Sequence, residues 1–396
     1  MTDSPVAELA SPAPADSPPD EFQTTDVLTV VGGHFIHDMF TGFVAPLLPV
    51  IIEKLALNYT QAGLLSAIQE IPSLLHPFIG YSGRRINLTY FIIFMPAITA
   101  TIIGSLGLAS TYTSLVALML VVGLTTTLFH SPAPALVGQI SGKRVTRGMS
   151  FFMAGGELGR ALAPLLVAWA IGLWAFEGLY RLMIIGWLTS AILFWRLRDV
   201  PSPAEGAGAF GAILRAASRL FIPLSLFAFL RTFSLVAFTT FLPTFMTEEG
   251  STLIIASGAL TLFQVGGIIG SLSSDFTVNK VGRRRLMVGA IIATAVLMVS
   301  FLLLSGPVLA PLLLGAGLLP ALVTPLMLAM VQEYMPENRV IANGLLLLVL
   351  FVSRPIAALG IGFMGDNLGL NMAFLISALI PLLGIPMIFF LPKEVR

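Results

Sequence analysis

The 396-residue chain contains no cysteine, and only 10% of its residues are charged. The absence of cysteine excludes disulfides and thiolate metal sites. A soluble globular domain usually has about 25% charged residues, so most of the surface of this chain cannot face water. The formal net charge of +1 gives no reason to expect a nucleic-acid partner. The chain also lacks a Gly-rich phosphate-cradling loop ending in Gly-Lys-Ser/Thr, which argues against direct ATP drive.

Apolar residues make up 56% of the sequence, and they occur in long runs without a two-residue alternation. In lipid every backbone polar group needs an internal partner, so these runs predict membrane-spanning helices rather than strands of a barrel. A spanning helix needs about 20 mostly apolar residues. The sequence has twelve such segments, named spans 1 to 12 in chain order: 27–52, 60–82, 88–110, 113–138, 149–174, 179–196, 220–246, 252–273, 286–305, 308–332, 340–364 and 371–392.

Two polar stretches divide the chain into domains. Residues 1–25 are acidic and rich in Pro, Ala and Ser, which predicts a disordered cytoplasmic tail rather than a secretory signal. Residues 197–219 contain a Pro/Gly-rich stretch and predict a cytoplasmic linker. The predicted fold is therefore an all-α membrane protein in which residues 26–196 and 220–396 each form a six-helix bundle.

The distribution of basic residues tests the number of spans, because Lys and Arg concentrate in cytoplasmic loops. With the N-terminus placed inside, sixteen of the 21 Lys and Arg residues fall in cytoplasmic segments. Only Lys54 and Arg181 fall outside, and three arginines lie within helices. One miscounted helix would invert this bias downstream. The pattern therefore predicts twelve spans with the N- and C-termini both cytoplasmic.

The two halves resemble each other at matching spans. Span 5 places Arg160 shortly before Pro164, and span 11 places Arg354 directly before Pro355. Spans 1 and 7 each carry a polar group followed by a proline at the same spacing. Duplicated halves are typical of secondary transporters.

Basic loops follow spans 2 and 8, the second span of each half. The first loop contains Arg84 and Arg85, and the second contains Asp275 and Arg283. In these positions the chain resembles the major facilitator superfamily, which carries a gating-loop motif there, although both copies are degenerate. The resemblance implies two six-helix bundles that expose a central site to alternate faces of the membrane.

Within that superfamily three segments resemble fosmidomycin-resistance-type exporters. They are residues 33–38 in span 1, 128–132 in span 4 and 155–164 in span 5. The last segment also holds closely spaced glycines, which favour close helix packing in membranes and could alternatively form a hinge. Glu157 and Arg160 depart from the uncharged residues expected in this segment.

Ionisable residues at membrane depth are energetically costly, and they are functional candidates by default. From the rise of about 1.5 Å per residue, several of them lie near the bilayer midplane, where transporters bind substrates and ions. Spans 3, 6, 9 and 12 have no charge in their central stretches. The interior ionisable residues are His34, His37, Asp38, Glu70, His76, His130, Glu157, Arg160, Arg231 and Arg354.

The residue types divide these side chains between two roles. Burial favours a neutral carboxyl group and a nearby guanidinium favours an ionised one, so a carboxylate between these limits can carry a proton. Asp38 with His34 one turn away is the first candidate for proton coupling, followed by Glu70 and Glu157. Guanidinium groups bind carboxylates and phosphonates well. The predicted substrate-binding residues are Arg231, Arg354, Arg160, His37 and His130.

Less specific interpretations stay open for several of these residues. Glu157 and Arg160 could form only an intrahelical salt bridge, and His76 could be a packing residue. His130 could bond a carbonyl group freed by Pro132 or Pro134. Imidazole and carboxylate groups also suit a transition metal, but two histidines and one aspartate on a single helix rarely complete a coordination shell. We therefore expect no metal and no cofactor.

The sequence predicts a multi-pass, monomeric antiporter of the plasma (inner) membrane that exports a small compound in exchange for protons. An anionic or zwitterionic substrate and a neutral one remain alternatives. Uptake of an organic anion through the same site is a second possibility. An intramembrane metal-dependent enzyme that uses His34, His37 and Asp38 is a third, and the spread of polar residues over six helices argues against it.

Overall fold

The computed structural model describes residues 21–75, 79, 87–202, 218–334 and 339–391, and every regular element among them is a helix. The predictions of a tail over 1–25 and of a linker over 197–219 therefore fall largely outside the described residues. The α-helices are Thr24–Thr41, Val44–Leu55, Tyr59–Glu70, Thr89–Gly104, Tyr112–His130, Ala133–Ile140, Val145–Trp174, Met183–Leu197, Ser218–Val236, Leu242–Glu248, Leu253–Val281, Arg283–Leu303, Leu309–Tyr334, Arg339–Leu368, Leu370–Leu379 and Ile385–Phe390.

Eleven helical segments of the described chain are long and apolar enough to cross a membrane. They correspond to all the predicted spans except span 2. That span is described as the helix Tyr59–Glu70 followed by the 3₁₀ turn Ile71–Leu75, and part of its remaining length lies outside the described residues. The all-helical prediction is confirmed. The eleven segments, together with the partly described span 2, agree with the twelve predicted spans.

Spans 1, 4, 7 and 12 are interrupted within the described residues, span 12 by the 3₁₀ turn Ile380–Gly384. Span 1 breaks between Thr41 and Val44, and span 4 breaks after His130 at Ser131-Pro132. Span 7 has a π-helical turn at Ala237–Phe241 just before Pro243. Proline lacks an N–H group and its ring clashes with the preceding turn, which explains breaks beside it. The interruptions in spans 1 and 4 fall directly beside the ionisable residues of these helices.

Each half of the chain has its own hydrophobic core. Two clusters of buried side chains lie entirely within the first half, and one lies entirely within the second. A fourth cluster belongs mainly to the second half, but Leu48 and Ala62 of the first half are part of it. The halves thus meet through apolar packing on one side of the membrane. We call this the far side, and we call the opposite side, where Thr24 and Phe390 lie, the linker side.

Spans 2 and 11 form the most closely packed contact between the halves. A Cβ atom added to Gly63 would lie 2.5 Å from the carbonyl oxygen of Ala358, so the backbones touch. At the far-side end the Asp366 carboxylate accepts hydrogen bonds from the backbone N–H groups of Tyr59 and Thr60, at 2.6 and 2.9 Å. We call this contact, between Tyr59–Glu70 and residues 354–366, the far-side seam.

The far-side seam ends at mid-depth. Tyr59 and Glu70 are eleven residues apart, which is about 16 Å along a helix. Beyond Glu70, on the linker side, Ile71 and Leu74 are about half exposed, and Leu347 of span 11 is 40% exposed. The halves are therefore closed against each other on the far side, and their facing helices separate towards the linker side.

Candidate functional site

Asp38 is the centre of a cluster of polar side chains from spans 1, 4 and 5. Its side chain is only 1% exposed. One carboxylate oxygen, Oδ2, lies 3.2 Å from Nε2 of His34 and also accepts a hydrogen bond from Nη1 of Arg160. The other oxygen, Oδ1, lies 3.1 Å from Nε2 of His130. Three groups that can carry a positive charge thus surround one buried carboxylate.

Backbone carbonyl groups fix the orientation of both imidazoles. Nδ1 of His34 lies 2.8 Å from the carbonyl oxygen of Phe152, and Nδ1 of His130 lies 2.9 Å from that of Thr126. A carbonyl oxygen can only accept, so each Nδ1 carries the hydrogen. In a neutral imidazole the other nitrogen then has only a lone pair. The two Nε2 atoms lie 3.2 Å from each other and both face Asp38.

This arrangement requires a further proton or another cation. Two neutral imidazoles would place lone pairs against a carboxylate, where each contact would be repulsive. The formal charges lead to the same conclusion. Arg160 also donates a 2.7 Å hydrogen bond to Glu157, so a single guanidinium bonds two carboxylates. With neutral histidines the cluster carries a net charge of −1, and one added proton makes it neutral.

The cluster has a buried side and an accessible side. Asp38 and His34 are almost completely buried, whereas the side chains of Arg160 and Glu157 are 37% and 42% exposed. His130 is intermediate at 26%. Arg160 therefore connects the buried carboxylate with a group that a ligand could reach. The predicted intrahelical pair of Glu157 and Arg160 is present, and Arg160 additionally contacts span 1.

Glycines let span 5 approach span 1 at this level. A Cβ atom on Gly156 would collide with the imidazole of His34 and come within 2.9 Å of Asp38. A Cβ atom on Gly159 would collide with the backbone oxygen of Phe35. Close backbone approach, rather than φ freedom, explains both glycines. Any side chain at position 156 would displace the imidazole from the carboxylate.

His34, Asp38 and His130 could in principle hold a metal ion, since their donor atoms lie within 4.8 Å of one another. Backbone carbonyl groups bonded to the outer nitrogens are also common around metal-bound imidazoles. However, the guanidinium of Arg160 already contacts the only carboxylate of the set. A cation beside Asp38 disfavours a second one, so the geometry fits a proton better than a divalent metal.

His37 does not belong to the Asp38 contacts, although the sequence places it on nearly the same face. It is fully buried and stacks on Phe129 with 4.5 Å between ring centroids. Its Nδ1 lies 3.3 Å from the hydroxyl oxygen of Thr99, which itself donates to Thr125. Thr99 therefore accepts from His37. Buried in this way, His37 has no access to a substrate in this conformation, and its predicted binding role stays untested.

Glu70 and Arg354 lie together across the two halves. Nε of Arg354 is 3.4 Å from Oε1 of Glu70, and both side chains are partly exposed. The pair is placed at the mid-depth end of the far-side seam. Each residue was predicted at the site for a separate role, in proton coupling or in substrate binding. The structure instead brings them into one ion pair between the halves.

Arg231 lies inside the second half, away from these pairs. Its guanidinium donates to the carbonyl oxygen of Pro320 at 3.0 Å and to the hydroxyl oxygen of Thr324 at 2.6 Å. Only 6% of the residue is exposed. The three interior arginines thus bond separate partners, and their predicted binding of a substrate stays untested.

The loop residues are only partly described. Arg84 and Arg85, as well as His76, lie outside the described residues. Arg283 pairs with Glu333 through two contacts of 2.5 and 2.6 Å, and this hydrogen bonding holds the pKa of the Glu333 carboxyl below its usual value. Asp275 is exposed. In the described part of the chain the second loop motif therefore forms an Arg–Glu pair rather than an Asp–Arg pair.

The sequence prediction missed several parts of the site. It assigned His130 to substrate binding, or to a carbonyl group freed by Pro132 or Pro134, and the observed partner is instead Thr126. That assignment of the carbonyl is wrong, because His130 folds back along its own helix by one turn. The pairing of Tyr59 and Thr60 with Asp366 was also missed. The capping position of Tyr59 and Thr60 at the start of a helix was the only available signal.

Comparisons with known proteins agree with this architecture. The sequence model of the Major Facilitator Superfamily matches residues 30–319 and 224–396. The MFS-type transporter YfnC of Bacillus subtilis (strain 168) is 23% identical over 389 residues, covering 93% of each protein. The fosmidomycin resistance protein of Escherichia coli (strain K12) is 23% identical over 371 residues, covering 90% of each.

Solved structures with the same architecture are also similar over nearly the full chain. A bacterial homologue of the human lysosomal transporter Spinster, in an inward-facing and occupied conformation, superposes with a TM-score of 0.78 at 14% identity, covering 93% of this chain and 96% of that one. A D-xylose–proton symporter superposes with a TM-score of 0.77 at 14% identity, covering 94% and 99%. Since the family model matches almost the whole chain, the protein belongs to the major facilitator superfamily.

Proposed function

We propose that this chain is a proton-coupled antiporter that exports a small compound from the cytoplasm by alternating access. It acts as a monomer in the plasma (inner) membrane, with both termini and the linker over residues 197–219 in the cytoplasm. Sixteen of the 21 basic residues then lie on the cytoplasmic side, as the positive-inside rule requires. The linker side of the structure is the cytoplasmic side in this proposal. We propose a transporter and not an enzyme.

The observation that carries the proposal is the pair of imidazole Nε2 atoms that both face the buried carboxylate of Asp38. Both neighbouring histidines have their Nδ1–H groups committed to carbonyl oxygens, and both Nε2 atoms face the carboxylate. A group of five ionisable side chains that becomes neutral on binding one proton, and that lies deep in the membrane, is suited to bind and release a proton during transport.

Arg160 connects proton binding to substrate binding. With the proton absent, Asp38 holds the guanidinium towards the buried side of the cluster. Protonation of Asp38 removes this attraction, and protonation of an imidazole weakens it by competition. Arg160, which is already partly exposed, then has charge available for an anionic substrate. Because coupling free energies are reciprocal, a proton and an anion bound to Arg160 favour each other, which is the coupling that the alternative, uptake of an organic anion, requires. Export in exchange for protons instead requires the compound to bind when the proton has left, so its main contact lies away from Arg160.

Arg354 is the second predicted contact for an anion. It is partly exposed, and its bond to Glu70 joins the two halves at mid-depth. A carboxylate or similar group that binds Arg354 would compete with Glu70 for the guanidinium. Substrate binding would in this way weaken one of the contacts that hold the far side closed, which is the direction required for export.

Transport in reconstituted vesicles tests the proposal. Fosmidomycin, the compound in the name of one relative, is the first candidate substrate, followed by other small organic anions and neutral drugs. An outward-directed or inward-directed pH gradient is imposed on vesicles of known orientation, and accumulation is measured. Accumulation of the substrate on the more acidic side, opposite to the movement of protons, supports the proposal. Co-transport with protons in the same direction would replace export by uptake, and transport without any response to pH would contradict proton coupling.

A further inference from the structure

The second half of the chain contains an interior positive charge without a negative partner. After residue 220, acidic residues occur only at positions 248, 249, 275, 333, 337, 366 and 394. Those that the structure describes lie in the last seven residues of a helix or just beyond it. Arg231 is 13 residues from the start of its helix at Ser218, about 20 Å along the axis.

The hydrogen bonds of Arg231 leave its charge and one donor unsatisfied. Nη1 and Nη2 bond neutral oxygen atoms, those of Pro320 and Thr324. Nε is buried and has no hydrogen-bond partner. In the described part of the chain, no carboxylate pairs with Arg231, in contrast to Arg160 and Arg354. A buried cation is strongly destabilising unless a counter-charge accompanies it.

A small cavity is lined in part by Arg231. Its polar lining consists of Arg231, Ser234 and Thr294, and apolar side chains of spans 9, 10 and 12 complete it. Its volume is about 10 Å³, close to what one water-sized particle needs. The hydroxyl hydrogens of Ser234 and Thr294 are directed to backbone oxygens of their own helices, but hydroxyl groups can rotate to serve another acceptor.

We propose that Arg231 and this cavity bind one monatomic anion, of which chloride is the abundant example. A water molecule would satisfy the Nε donor, but it would leave the charge uncompensated. A carboxylate or phosphonate is too large for the cavity, so this site is separate from that of the transported compound. The anion is the counter-charge of Arg231. The corresponding counter-charges are Asp38 and Glu157 for Arg160, and Glu70 for Arg354.

Thermal unfolding of the purified full chain tests the site. Wild-type protein is compared in chloride, bromide and gluconate at constant ionic strength and pH. A ligand that binds only the folded protein raises the melting temperature with its concentration. We expect a rise in chloride and bromide over gluconate in the wild type, and no halide-dependent rise in Arg231→Gln. Arg196→Gln, which removes an arginine that already has a carboxylate partner in Asp26 and lies outside the proposed transport site, is the matched control and keeps the halide effect.

A second variant guards against a folding defect in Arg231→Gln. Ala290→Val keeps the arginine and fills part of the cavity, because Ala290 lines it and is buried. It also is expected to lose the halide effect. Equal melting temperatures in chloride and gluconate for the wild type would overturn the proposal, as would a halide effect that persists in both variants.

Diffraction from bromide-grown crystals adds a direct test, since anomalous signal in the cavity supports the site and a water molecule there refutes it. All these outcomes are independent of proton coupling.

Discussion

Substitution of Gly63 should open the far-side seam. An added Cβ atom would lie 2.5 Å from the backbone oxygen of Ala358, whereas ordinary contacts begin near 3.4 Å. Spans 2 and 11 would therefore have to separate by about 0.9 Å, and a backbone oxygen cannot rotate away as a side chain could. Overpacking of this kind typically costs about 1–3 kcal/mol. If the whole cost falls on the state closed at the far side, the ratio of the two states changes by about 5–150-fold.

The absence of cysteine makes this shift measurable without background labelling. Leu74 and Leu347 are both exposed on the linker side of the seam and continue its antiparallel register. Spin labels on Leu74→Cys and Leu347→Cys report the separation of the halves there. In Gly63→Ala the distribution should move to shorter distances, because opening the far side closes the linker side. Gly172→Ala, where an added Cβ meets no atom within 4 Å, is the matched control. An unchanged distribution in Gly63→Ala would refute the seam as the far-side closure.

Three further predictions concern single contacts. Gly156→Ala displaces the His34 imidazole from Asp38 by overpacking, which typically costs about 1–3 kcal/mol, so pH-driven transport should fall by about tenfold; a normal pH response would contradict the described packing. Asp366→Asn weakens the bonds to the N–H groups that begin span 2, and should shift the same spin-label distances as Gly63→Ala, by a smaller amount. The pKa of Glu333 is lowered by Arg283, so this pair stabilises the protein above the unfolded-state pKa and loses that effect as pH falls through the lower folded-state value. Glu333→Gln should therefore melt slightly earlier than the wild type at pH 7, and the difference should shrink as the pH falls through the lowered pKa of Glu333; a constant difference would contradict the pairing.

The positions of the helices were predictable because the bilayer imposes one simple rule. Each apolar run had to become a helix. The order of sides that the basic residues indicate stays a prediction. The contact between Asp38 and His34 followed from their four-residue spacing. The pairing of Glu157 with Arg160 followed in the same way. These predictions needed only local geometry.

Contacts between different spans could not be derived in this way. His130 reaches Asp38 from the last residue of the first helix of span 4, directly before the break at Ser131-Pro132. Neither the direction of the break nor the rotation of each helix about its axis is encoded by hydropathy. The same limit explains Arg231, whose side chain bonds span 10 instead of joining the other interior arginines.

The most direct test of the account separates net transport from exchange in Asp38→Asn. Asparagine keeps the shape of the side chain and cannot bind and release the proton. The account predicts that vesicles containing this variant still exchange labelled for unlabelled substrate across the membrane, while accumulation driven by a pH gradient is lost. Accumulation at the wild-type rate and with the wild-type pH dependence would contradict the assignment of the proton to the cluster around Asp38.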